Sequence, residues 1–66
     1  MFIVLEIQTT GDTATTLVFT YSNRLDAESK YHTILAAAAI STVPIHGAVI
    51  LSGEGKEIMH QAYTHS

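Results

Sequence analysis

The chain has 66 residues, no cysteine, a net charge of −3 and a hydrophobic content of 47%. One domain fits in that length and buries only about 60% of the surface its unfolded form exposes, so a disulfide, a metal or self-association has to add to its stability. The lack of cysteine removes disulfides and thiolate metal sites, and three scattered cations, Arg24, Lys30 and Lys56, are too few to neutralise the phosphates of a nucleic acid.

The opening MFIVLEI is apolar but short. It has no basic leader, and Glu6 interrupts it, so neither a signal peptide nor a membrane span is expected. Residues 2–8 read as a strand. Ile3, Leu5 and Ile7 share one face, and Phe2, Val4 and Glu6 share the other. Both faces are largely apolar, which suits a central strand covered on two sides. Glu6 is either buried or turned out at the polar end of the strand; the alternation favours turned out.

Thr9 to Thr13 form a turn around Gly11. Residues 15–21 make a second strand, with Leu17, Phe19 and Tyr21 on one face and Thr16, Val18 and Thr20 on the other. The short connection predicts a hairpin, and the threonines place this strand near an edge.

Residues 24–41 carry the only long helical period. Ala27, Tyr31, Ile34, Leu35 and Ala38 fall on one face. Asn23 is the N-cap, and Asp26 and Glu28 suit the positive end of the dipole. Asp26 and Lys30 are spaced for an i,i+4 pair, and so are Glu28 and His32. From Ile34 to Ile40 the helix is apolar all the way round. One side can lie on a sheet; Ala36, Ala37, Ala39 and Ile40 need another cover, and small side chains let a second backbone approach. Pro44 disfavours helix in Val43 and ends the element.

Residues 45–51 and 56–64 read as a second hairpin around Gly53-Glu54-Gly55. Gly47 marks a bulge or a close backbone approach. His65 and Ser66 are expected to fray. The sum is an α+β fold, β-β-α-β-β, with a four-stranded, mainly antiparallel sheet in the order 2-1-3-4 and one helix on one face. One helix cannot cover both faces. Phe2, Val4 and their neighbours, or the alternate set, are left for a partner, and a homodimer about a two-fold axis is the expected solution.

Little in the chain resembles catalysis. If the second hairpin is regular, His46 faces Ala62 and Ala48 faces His60. The two histidines then share a face as diagonal neighbours about 7–8 Å apart. They are the candidates for a metal site, although a shift of one residue would separate them. Solvated strand histidines are the default, and no cofactor is expected. Gly53-Glu54-Gly55 lacks the spacing of a phosphate loop. No nucleophile elbow or triad is legible.

The strings MFIVLEIQT, AESKYHTILAAAA (Ala27 to Ala39) and VPIHGAVIL resemble a group of small uncharacterised proteins from prophage-like and mobile regions of Firmicutes, including gut clostridia. The resemblance covers nearly the whole chain and is most specific in the helix. It implies a bacterial cytoplasmic or virion-associated protein and transfers no catalytic residue. Some relatives are expected to carry a charged tail, and this chain ends soon after Tyr63.

The expectation is therefore a non-enzymatic homodimer that works by protein-protein contact, as a phage-type accessory or structural component with a further protein partner, and without nucleic acid or membrane. The alternative is a small-ligand or metal-binding module using His46 and His60. A weaker third is an enzyme whose site at a dimer interface involves Tyr31, His32 or Glu28.

Overall fold

The computed structural model describes residues 1–65. Four strands and one helix follow in the order β1 (Phe2–Thr10), β2 (Thr13–Tyr21), α1 (Arg24–Ala39), β3 (Ile45–Ser52) and β4 (Glu57–Thr64). The sheet is antiparallel throughout, in the order β2-β1-β3-β4. The expected α+β architecture and strand order are both present. The hydrophobic first strand is central.

The first hairpin is tighter than the sequence indicates. Thr10 pairs with Thr13, leaving Gly11 and Asp12 as a two-residue turn. Gly11 has φ +58, and among the described residues none other than glycine has positive φ. Positive φ at the first central position alone is the II′ pattern, whose twist matches the strands it joins.

Asn23 caps α1. Its Oδ1 accepts from the Asp26 N–H at 2.8 Å, and its Nδ2 donates to the Asp26 carboxylate at 3.0 Å. The helix stops at Ala39, two residues before the expected end, with the Ile40 N–H donating to Ala37 O at 3.3 Å and the Ser41 N–H to Ala38 O at 3.2 Å. Its inward face is Ala27, Tyr31, Ile34 and Ala38, as the periodicity predicts, with Leu35 at the margin.

That face packs on Val4, Ala48 and Ile50. Val4 and Ile50 are fully buried side chains, each worth about 1.5–3 kcal/mol of transfer free energy. The register extends this covered layer to Phe2, Glu6 and Gln8 of β1, His46 of β3, and Met59 and Tyr63 of β4. The candidate interface residues Phe2 and Val4 are therefore on the wrong side. Val4 has no exposed surface and Phe2 packs against the core, because the helix lies on their face and leaves the Ile3, Leu5 and Ile7 face open.

The second hairpin contains the main departure from expectation. Its turn is Ser52 to Lys56: the Gly55 N–H donates to Ser52 O at 2.9 Å, and the Ser52 N–H to Lys56 O at 2.8 Å. Gly55 has φ +87, the left-handed residue that a three-residue loop requires. Leu51 then faces Glu57, the regular register, but Ile50 faces Met59. Ile58 is the extra residue of a β-bulge. Ile58 and Met59 both reach the core through it, and every pair beyond is shifted by one.

Candidate functional site

The bulge separates the two candidate metal ligands. His46 pairs with Tyr63 on the covered face, and His60 pairs with Val49 on the open one. They cannot share an ion, and among the described residues no group of three or more His, Asp or Glu side chains is placed to hold a metal. Each histidine instead has its own carboxylate, which the sequence reading did not foresee. His60 Nδ1 lies 3.0 Å from Glu57 Oε2 in an exposed pair. The bulge makes that pair possible, since Glu57 and His60 project from the same face across the extra residue.

The buried pair is the more unusual. His46 Nε2 lies 2.7 Å from Glu6 Oε2, and the side chains are 6% and 14% exposed. A carboxylate only accepts, so Nε2 carries the proton of this bond. Gln8 Nε2 donates to the same oxygen at 3.0 Å. Glu6 therefore points under the helix, the reverse of the expected orientation, because a histidine forty residues away neutralises the cost of burying it. His46 Nδ1 is buried with no partner. No pocket opens beside it among the described residues, and the Glu6–His46 bond ties β1 to β3 on the side of the sheet that the helix covers.

The helix residues considered for catalysis do not converge. Tyr31 is buried, and burial raises its phenol pKa, helped by the charge of Glu57 and by Tyr63. His32 stands edge-on to the Tyr31 ring with centroids 5.4 Å apart. Glu28 is taken by Arg24 at 2.7 Å rather than by His32. Lys30 is not paired with Asp26; its ammonium lies 4.1 Å from the centre of the Phe19 ring. A weakly hydrated aromatic face competes well with an exposed carboxylate. His65, expected to fray, is tied down: its N–H donates to Pro44 O at 2.6 Å, and Nε2 donates to Ala38 O, near the helix C-terminus, at 2.9 Å. Ser66 lies outside the described residues.

What remains is surface. Ile3, Leu5 and Ile7 of β1 stand beside Val49 and Leu51 of β3 and Val18 of β2 on the face away from the helix. Glu57, at the β4 edge, is the one Asp, Glu, Lys or Arg that the register puts there. Ala36, Ala37, Ala39 and Ile40 form a second, smaller patch on the outer side of α1, where Ile40 is 87% exposed. No helix of the described residues is long and apolar enough to cross a membrane.

Comparison with family models, with curated proteins and with solved structures finds no match for this chain.

Proposed function

We propose that the protein is a non-enzymatic homodimeric interaction module, in which the open face of the sheet packs against the same face of a second copy. The observation that carries this is the six aliphatic side chains of Ile3, Leu5, Ile7, Val18, Val49 and Leu51, contiguous on one face with no second layer over them. The area is adequate. The molecule is 35 × 21 × 15 Å between Cα atoms, and its broad face approaches the footprint of about 800 Å2 per partner that a standard interface buries. Two antiparallel sheets packed face to face, about 10 Å apart, interdigitate such side chains. A chain of 66 residues also adds a second apolar layer to the small core it has alone.

The alanine side of α1 contributes less to self-association, because alanine offers little apolar area, and stays free for a protein partner. In the reading taken from the resemblance, that partner is a component of a phage or mobile element in a bacterial cytoplasm or virion, and this chain is an accessory or structural part.

Molar mass by size exclusion with light scattering, across a dilution series, tests the self-association. We expect two chains of 7.1 kDa or a multiple of two. Leu5 faces Val49 at the centre of the face, so Leu5→Gln with Val49→Thr should raise the concentration at which the face contact separates by at least tenfold. A particle of one chain at every concentration would end the proposal.

A further inference from the structure

The two edges of the sheet are built differently. β4 is interrupted by Ile58, begins with Glu57, and continues into His65, which is tied to Pro44. Bulges and charges are the usual means of keeping an edge from pairing with another chain. β2 has none of these. Its nine residues, TATTLVFTY, pair with β1 without a break and include no proline, glycine or charged side chain. Lys30 of the helix holds its ammonium over the Phe19 ring.

The free backbone groups of β2 follow from its turn. Thr10 and Thr13 flank two turn residues, so they close as a hydrogen-bonded pair. Such pairs alternate along an antiparallel ladder. Thr13, Thr15, Leu17, Phe19 and Tyr21 therefore bond to β1, and Ala14, Thr16, Val18 and Thr20 present their N–H and C=O groups outward.

We propose that this edge is taken by β2 of a second copy, antiparallel, with Leu17 opposite Leu17 of that copy. This register pairs Thr16 with Val18 and Ala14 with Thr20 across the seam, so every outward group from 14 to 20 finds a partner. It keeps the helices of both copies on the same side of one continuous eight-stranded sheet. Leu17 falls on the two-fold axis as a close, non-hydrogen-bonded pair, with Cα atoms about 4.5 Å apart. Leu17 is 45% exposed and Val18 60% exposed. Leu17 lies on the helix side, opposite Glu6, where the helix leaves β2 largely uncovered. The occupant is a second copy because a two-fold sets each residue of one strand opposite a residue of the same strand. A charged strand would then oppose like charges, and β2 has no charge to oppose.

This contact is separate from the face contact, and the two together build a particle of four chains. The test is amide hydrogen exchange on the whole protein, with mass measured on the same samples. We expect the Thr16 and Val18 amides to exchange slowly in the wild type and faster on dilution. In Leu17→Lys, which puts two ammonium groups at the axis, they should exchange at least tenfold faster, the Thr15 and Leu17-position amides should stay slow, and the mass should halve. Thr16→Pro, which removes an outward N–H and no bond to β1, should halve the mass in the same way if Leu17→Lys fails to fold. Wild-type Thr16 and Val18 amides that exchange as free amides at every concentration would overturn the edge contact. A particle of two chains with those amides fast leaves the face contact standing alone. A particle of two chains with those amides slow, insensitive to Leu5→Gln with Val49→Thr, supports the edge and removes the face.

Discussion

Glu6 and His46 are forty residues apart in the chain and 2.7 Å apart in the fold. The bond joins the two central strands on the buried side of the sheet. Either partner alone is a liability there, because a buried polar group that loses its bond carries its full desolvation cost. Glu6→Ala leaves His46 with both ring nitrogens unpartnered and should lower unfolding stability by about 1–3 kcal/mol. The double variant Glu6→Leu with His46→Leu removes both polar groups and should be less destabilised than the sum of the singles. Urea titration of the wild type, Glu6→Leu, His46→Leu and the double variant checks this; additive losses would mean that the two side chains act independently.

Tyr31 gives the protein an alkaline limit. Burial raises its phenol pKa above the ordinary 10.0, with Glu57 and Tyr63 adding to the shift. A raised acid is neutral in the fold and ionises first in the unfolded chain. Its contribution is complete below the unfolded value, about 10, and is lost as pH rises from there through the folded value. Stability should fall above pH 10, and Tyr31→Phe should flatten that fall without altering the curve near neutrality. A wild-type curve parallel to that of Tyr31→Phe would refute the assignment.

Gly47 is needed where β4 crosses it. A Cβ there would lie 2.7 Å from Gln61 O and 2.8 Å from Ala62 Cβ. The Gly47→Ala variant must spread the β3–β4 ladder, a cost of about 1–3 kcal/mol by analogy with overpacked cores. Adding Ala62→Gly should recover part of the loss, because the carbonyl of Gln61 stays. Thermal melts of the single and double variants measure both numbers.

Asn23→Ala removes the acceptor for the Asp26 N–H and should cost about 1 kcal/mol. Asn23→Asp keeps that acceptor and should cost less, although its carboxylate faces Asp26 instead of donating to it. Helix content near the melting midpoint, followed by circular dichroism, ranks the three chains.

The architecture was legible because each element has a clean period. Ile3, Leu5 and Ile7 against Val4 mark a strand with two apolar faces, and Ala27, Tyr31, Ile34 and Ala38 mark one face of a helix. A short hairpin at each end of the chain leaves few ways to join them. The side of the sheet that the helix chooses was not legible, since Val4 and Leu5 are equally suited to burial. Glu6 reads as outward for a related reason: a lone carboxylate in a strand has no partner until His46 is brought beside it by the β1–β3 register. The bulge at Ile58 had no signal at all. EIMHQAY contains no glycine or proline, and the advantage of bringing both Ile58 and Met59 to the core belongs to tertiary packing, which local sequence does not encode.

Ile58 is also a spare. The strands β1, β2 and β3 pair residue for residue, so deleting one amino acid from any of them turns the remainder of that strand inside out. Deleting Ile58 would leave Glu57 opposite Leu51 and Met59 opposite Ile50, the partners they already have. The last strand can thus lose a residue at this one point and keep His60 outward and Tyr63 inward, at the expense of a single isoleucine's packing. For a designer shortening or grafting this sheet, that position is the slack in an otherwise taut weave.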